Sequence, residues 1–112
     1  MCLFCKIANR EVPSDIVLEK DDLLAFKDVR PVAPVHALVI PKKHIAGIND
    51  ASPEDGELLG HLVLAAREVA TKLGIGASGY RLVVNTGPDA GQSVFHVHVH
   101  VLGGRPMAWP PG

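Results

Sequence analysis

Three of the chain's six histidines stand at alternate positions in a short apolar run near the C-terminal end. The run reads Phe95-His-Val-His-Val-His-Val-Leu102. On an extended strand His96, His98 and His100 would share one face, about 6.5–7 Å apart, while the intervening valines face the core. A neutral imidazole can be a nucleophile, a general acid or base, or a metal ligand. The run therefore predicts a strand that carries chemistry.

Three interpretations of this run stay open from the residues. In the first, the run is only a strand with one solvent-exposed face, which needs polar side chains but not histidine, since threonine, lysine or glutamate would suffice. Two histidines at i and i+2 can chelate zinc, but the outer pair of three is too widely spaced to share an ion without ligands from another element. Nucleophilic attack on phosphorus requires one ring nitrogen free and the other hydrogen bonded.

The loop before the histidines favours phosphate chemistry. It reads Asn85-Thr-Gly-Pro-Asp-Ala-Gly-Gln-Ser93. Glycines let backbone N–H groups approach an anion closely, and the Asn, Gln and Ser side chains add neutral donors. The same composition would suit an ordinary hairpin connection. Because the loop leads directly into the histidine run, we favour the phosphate interpretation.

Cys2 and Cys5 are the chain's two cysteines. Their spacing suits half of a tetrahedral zinc site, which needs two more nitrogen or sulfur ligands. Inert, partly buried thiols are the alternative, whereas a thioredoxin-like motif would need a preceding strand.

Length and charge narrow the class of protein. The 112 residues predict a single domain spanning 1–112. Eleven Lys+Arg against twelve Asp+Glu offer no basic face for nucleic acid or anionic lipid. No apolar run is long enough for a membrane span, and no secretory leader is evident, so we expect a cytoplasmic protein with no membrane association.

Apolar periodicity and turn residues indicate the elements that position these groups. Helices are predicted at 3–9 and from Ser52 to Gly74, and strands at 16–20, 23–28, 35–41, 80–85 and 94–102. Since only one long helix is available for crossovers, we expect an α+β fold with a five-stranded, mostly antiparallel sheet. Segment 35–41 is apolar at both parities, which predicts the central strand.

Residues 96–102 resemble the histidine triad motif, His-φ-His-φ-His-φ-φ with φ apolar. Further segments resemble the Hint branch, the histidine triad nucleotide-binding proteins: CLFCKI near the start, LAFKDVRPVAPVHALVIPKKHI at 24–45, NTGPDAGQS at 85–93 and GGRPMAWPPG at 103–112. The WPPG ending points to Hint rather than to the dinucleoside polyphosphate hydrolases. His100 stands where the uridylyltransferase branch carries Gln, which argues against that branch.

The resemblance implies a HIT-like fold and a homodimer whose sheets join into one ten-stranded sheet. It implies a phosphoramidase that hydrolyses the P–N bond of purine nucleoside phosphoramidates to AMP or GMP through a nucleotidyl-histidine, without a catalytic metal. Two alternatives remain: a nucleotide-binding scaffold dimer with incidental hydrolysis, and a dinucleoside polyphosphate hydrolase. A metal-dependent hydrolase using the histidine cluster is a further rival.

Residue roles also follow from the resemblance. His98 would be the nucleophile, His100 would contact the phosphate and fix His98 through its backbone carbonyl, and His96 would pair with His44 to support the triad. Ser93 and Asn85 would bind the phosphate or leaving group. The other expected nucleotide-binding residues are Phe4, Ile7, Phe26, Asp28, Val29, Gly91, Gln92 and Trp109, with Trp109 reaching the partner subunit's site.

Some of these residues have a structural interpretation as well. Phe26 and Ile7 could belong to the core, Asp28 could cap a turn, and we expect His36 to be structural. Some bacterial relatives close a zinc site with histidines that match His44 and His96. The resemblance therefore implies a structural zinc held by Cys2, Cys5, His44 and His96.

Overall fold

The computed structural model describes residues 2–112 as a five-stranded antiparallel sheet with one helix on each face. The elements are α1 (Leu3–Ala8), β1 (Ile16–Glu19), β2 (Leu23–Lys27), β3 (Val35–Pro41), α2 (Gly56–Lys72), β4 (Tyr80–Val83) and β5 (Val99–Gly103). The strand order is β1-β2-β3-β5-β4, and every neighbouring pair is antiparallel. The predicted α+β class and the central position of β3 are confirmed.

The two faces of the sheet build two separate cores. Val97, Val99 and Val101 join the larger core, which includes the buried face of α2. Leu38 and the α1 residue Phe4 belong to the smaller core on the opposite face. Because side chains alternate along a strand, the histidines lie on the face opposite the valines, and this face is the one that α1 covers.

Helix α2 lies within the predicted segment from Ser52 to Gly74, but it begins at Gly56, after a short 3₁₀ turn. Ser52 leads into a 3₁₀ turn, Pro53–Asp55, and the Asp55 carboxylate accepts the Ser52 N–H at 2.9 Å to complete a capping box. Gly74 follows the last turn with φ +79°, which a side chain would disfavour. Within residues 2–112, no helix has the length and hydropathy to cross a bilayer.

Strand β5 is shorter than predicted, because it begins at Val99 rather than at residue 94. Val99 pairs with Val39, so Val97 would face Pro41, which has no N–H to continue the ladder. The Val97 N–H donates instead to the Ile45 carbonyl at 2.7 Å. Helix α1 and strands β1, β2 and β4 end one or two residues before their predicted ends, a difference within ordinary fraying.

Candidate active site

His98 lies just before β5 and is buried, with 5% of its surface exposed. Its Nδ1 lies 2.8 Å from the backbone carbonyl oxygen of His96. Since a carbonyl only accepts, Nδ1 carries the proton, and the neutral ring keeps an unshared pair on Nε2. No described residue hydrogen bonds to that Nε2.

The carbonyl that orients His98 is not the predicted one, because the expectation that His100 supplies it is wrong. His100 lies inside β5 with neighbours on both sides, and ladder hydrogen bonds use the backbone carbonyls there. His96 precedes the strand, which leaves its carbonyl available.

A relay of hydrogen bonds fixes the ring of His100. The Val32 N–H donates to His36 Nδ1 at 3.1 Å, so neutral His36 carries its proton on Nε2. That nitrogen lies 2.9 Å from His100 Nδ1 and donates to it. Neutral His100 must therefore carry its own proton on Nε2. His36 was expected to be structural, and the structure brings it into direct contact with the triad.

Burial keeps both of these rings neutral near pH 7. Burial, together with the neighbouring rings of His98 and His36, lowers the pKa of His100 to about 4, although the Asp28 carboxylate opposes the shift. Burial also lowers the pKa of His36, while the Asp28 carboxylate opposes that shift. His100 therefore offers a neutral N–H donor rather than a cation.

Asp28 combines the two roles that its sequence context allowed. Its Oδ1 accepts the Arg30 N–H at 2.8 Å, which caps the turn after β2. Its Oδ2 lies 3.3 Å from His36 Nε2, and the residue lines the cavities on both sides of His100. Asp28 is thus positioned both to hold the turn and to meet a ligand.

The side chain of Gln92 is fully used inside the protein. Its Oε1 accepts the Gly87 N–H at 3.0 Å, and its Nε2 donates to the Ala46 carbonyl at 2.7 Å and the Val94 carbonyl at 3.2 Å. Gln92 therefore pins the loop to the segment after β3.

The backbone amides available to an anion differ from those expected. The N–H groups of Gly91 and Gln92 close turns on carbonyls within the loop. The next two amides, of Ser93 and Val94, donate to no described residue. Both residues line the cavity that contains His98 and His100, so this pair is the better anion-binding donor set.

Two cavities share one wall formed by Asp28, Arg30, Ser93 and His100. The first, of about 480 Å³, lies between α1 and the sheet. It contains most of the predicted nucleotide-binding residues: Phe4, Ile7, Phe26, Asp28, Val29, Ser93, His98 and His100. The second, of about 410 Å³, contains Asn85 and His36. Gly91, Gln92 and Trp109 line neither, and a larger groove of about 970 Å³ beside α2 contains no predicted site residue.

A second cluster lies where α1 meets the histidine run. Cys2 Sγ, Cys5 Sγ, His44 Nδ1 and His96 Nδ1 lie 3.1–3.6 Å apart in all six pairs. Tetrahedral zinc with bonds of about 2.3 Å to sulfur and 2.0–2.1 Å to nitrogen would separate its ligand atoms by roughly 3.3–3.8 Å. The four groups therefore fit a closed Cys₂His₂ zinc site.

Comparison with known proteins identifies the family. The HIT domain model matches residues 9–107. The chain belongs to the HIT domain family. An uncharacterized HIT-like protein of Synechocystis sp. is 59% identical over 110 residues, which cover 98% of this chain and 96% of the relative. A HIT family hydrolase from Legionella pneumophila Philadelphia 1 superposes with a TM-score of 0.97 at 53% identity, covering 100% of both chains. A histidine triad nucleotide-binding protein from Candida albicans gives a TM-score of 0.83 at 31% identity, over 98% of this chain and 83% of that one.

In this HIT domain, the three triad histidines have three different surroundings. His96 belongs to the cysteine cluster, and His100 belongs to a group with Asp28 and His36. His98 belongs to neither of these potential metal-binding groups. The arrangement does not favour a hydrolase in which the three rings hold one ion.

Several residues that line the cavity between α1 and the sheet were not identified from the sequence. They are Leu3, Val12, Pro13, Ser14, Lys27, Arg30, Leu38 and Val94. Leu38 faces Phe26 across one ladder and His100 across the other. Leu38 alternates along β3 with Ala37 and Val39 of the larger core, so the sequence could have indicated that its side chain lies on the opposite face of the sheet. Only the strand register, however, places it opposite His100.

Proposed function

We propose that this HIT domain protein is a purine nucleotide phosphoramidase of the Hint branch. It would hydrolyse the P–N bond of nucleoside 5′-phosphoramidates to the nucleoside monophosphate. The observation that carries the proposal is His98: its Nδ1–H is tied to a carbonyl, and its Nε2 is unpaired in a cavity that it shares with two free amides. The Candida albicans relative, a histidine triad nucleotide-binding protein, supports the ligand class.

The reaction follows from the protonation states of the rings. His98 Nε2 attacks the α-phosphorus, a phosphorus–nitrogen bond forms to the ring, and the bond to the substrate amine breaks. The substrate nitrogen takes a proton from solvent water as this bond breaks, and it departs as a neutral amine. Water then attacks the nucleotidyl-histidine, releasing the monophosphate and returning the ring to its starting form. The His100 Nε2–H and the amides of Ser93 and Val94 would stabilise charge on the phosphoryl oxygens.

The remaining surface of the cavity supports nucleoside recognition. Phe4, Ile7 and Phe26 give it an apolar wall suited to a purine ring, and Asp28 would accept hydrogen bonds from ribose hydroxyls. Ser93 lies on the wall between the two cavities, and Asn85 lines the second cavity. In this proposal the second cavity receives the departing amine.

Trapping the covalent intermediate and substituting His98 together test the nucleophile. Adenosine 5′-phosphoramidate is mixed with the protein, quenched in denaturant and examined by mass spectrometry for adenylylated His98. We expect His98→Asn to lower kcat at least about 10³-fold while AMP still binds, because only the attacking nitrogen is lost. His61→Asn is the matched control, since His61 lies on α2 beside Asp22, outside the site. Full activity in His98→Asn would exclude the mechanism.

We also propose that the protein acts as a homodimer. β4 is an edge strand, and Trp109 and Val84 expose 81% and 43% of their surfaces. If Trp109 shapes the partner subunit's site, mixing His98→Ala and Trp109→Ala chains should restore one complete site per heterodimer. Sedimentation equilibrium measures the mass, and activity above that of either variant alone measures the shared site. A monomer, or no gain on mixing, would contradict this arrangement.

We propose a structural zinc at Cys2, Cys5, His44 and His96. The His96 Nε2–H donates to the Pro41 carbonyl at 2.8 Å, which leaves its Nδ1 pair directed at the cluster. When bound, zinc would stabilise both thiolates and cross-link the chain start to the sheet, and it would take no part in the chemical step. Metal analysis should find about one zinc per chain in the wild type and less in Cys5→Ser.

A further inference from the structure

Helix α1 is attached to the sheet through side chains alone. The backbone hydrogen bonds of the segment from Cys2 to Val12 close within that segment, and among the described residues none joins α1 to a strand. The attachments include the apolar contacts of Phe4 and Ile7, an exposed ion pair from Arg10, and the cysteine cluster. An exposed ion pair contributes little, so packing and the cluster determine where α1 lies.

Phe4 lies between the cluster and the nucleophile. It is the second residue of α1, between Cys2 and Cys5, and 5% of its surface is exposed. Its ring centre lies 5.1 Å from that of His98 at 90°, and 6.0 Å from that of His96 at 70°. Edge-to-face packing of this kind fixes a ring's tilt as well as its position.

A second path joins the same two sites through the backbone. His96 contributes its Nδ1 to the cluster and its carbonyl to the Nδ1–H of His98. Any change in the cluster that moves His96 therefore also moves the acceptor that sets the His98 tautomer.

We propose that Phe4 is a positioning residue for His98, and that metal occupancy of the cysteine cluster sets the shape of the nucleotide cavity through α1. The inference rests on the proposed function and the proposed zinc site. Leu3, Phe4 and Ile7, all on α1, line the same cavity, so a displaced helix alters the wall and the nucleophile together. The cluster thus acts on binding and orientation, not on the bond-breaking step.

Zinc removal and restoration test the coupling in the full-length protein. Chelator-treated protein should keep its sheet, exchange the amides of residues 3–9 faster, and bind AMP about tenfold more weakly, within the usual range for two coupled sites. Added zinc should restore both values. Hydrogen–deuterium exchange and calorimetry give readouts that do not depend on turnover.

Nitrogen-15 spectra of the ligand-free protein test the positioning role of Phe4. Nitrogen-15 spectra of the imidazoles report the His98 tautomer and should change both on zinc removal and in zinc-loaded Phe4→Leu. Phe95→Leu is the matched control, because Phe95 is 64% exposed and has no ring contact with His98. An unchanged His98 signal in both conditions would overturn the inference. If zinc-loaded protein fails to bind AMP, the proposed function fails, and the His98 signal still tests the positioning role.

Discussion

His96 and His100 stand at equal distances along the chain from His98, yet their surroundings are opposite. The His96 ring is fully buried, donates to the Pro41 carbonyl and directs its unprotonated nitrogen at the two cysteine sulfurs and His44. The His100 ring accepts from His36 and turns its N–H into the cavity. One flank of the nucleophile is arranged to hold a cation and the other to donate to an anion.

The difference teaches that the role of each imidazole is set by the partner of its second nitrogen. A carbonyl partner forces a proton onto the nitrogen it faces, whereas a donor partner forces the proton to the far side. We therefore propose that His96 acts on the structure and that His100 acts on the substrate. The predictions below test this division, beginning with the largest expected effect.

Of the two flanks of His98, removing the His100 donor should cost more activity. We expect His100→Ala to lower kcat about 10²–10³-fold, the usual loss for one donor to a charged transition state. His100→Gln keeps an N–H donor and should lose less. Steady-state kinetics on an adenosine phosphoramidate measures both. Equal losses in the two variants would mean that the His100 N–H does not contact the phosphoryl group.

Removing His96 should instead reduce stability. We expect His96→Ala to lower the free energy of unfolding by about 3 kcal/mol, because it leaves a cavity and orphans the Pro41 carbonyl. Urea unfolding with an unchanged m-value measures the loss. His100→Ala, measured in the same way, should lose clearly less. Similar losses in the two variants would remove the distinction between the flanks.

Breaking the His36 relay should have a smaller effect on turnover. His36→Leu removes the N–H that fixes the His100 tautomer. We expect kcat to fall about tenfold with KM little changed, as for other residues that orient a functional histidine without touching the substrate. His61→Leu controls for the loss of a histidine elsewhere. A raised KM with unchanged kcat would assign His36 to substrate binding instead.

The sequence predicted the features that depend on local periodicity. The alternation of valine and histidine predicted the core face of β5, the run apolar at both parities predicted β3, and the segment from Ser52 to Gly74 contains α2. These signals lie within a few residues of the element they specify, so no knowledge of distant contacts was needed.

The histidine run alone could not show that its three rings lie in three different surroundings. His96 meets Cys2 across 94 positions and His100 meets His36 across 64, so both contacts depend on the fold. The early end of the β3–β5 ladder depends on Pro41 lying opposite Val97, which only the register specifies. The resemblance supplied the cysteine–histidine cluster, but not the His36 relay or the free amides of Ser93 and Val94.

The smallest expected effect is on the pH dependence of stability. Burial lowers the pKa of His100 to about 4 and also lowers that of His36, whereas an unfolded histidine titrates near about 6.5. Below that pH the unfolded chain binds protons that the folded chain excludes, so stability should fall as the pH drops from about 6.5 toward 4. Each ring contributes at most about 1.4 kcal/mol per pH unit. His100→Gln removes one of the buried rings with a lowered pKa, so its unfolding free energy should fall less steeply than that of the wild type over this range. Carboxylates titrate in both proteins and cancel in the comparison.

Parallel curves, or a His100 nitrogen-15 titration centred near about 6.5, would show that the ring is not kept neutral by its surroundings. The contrast between the two flanks of His98 would then lose its electrostatic basis.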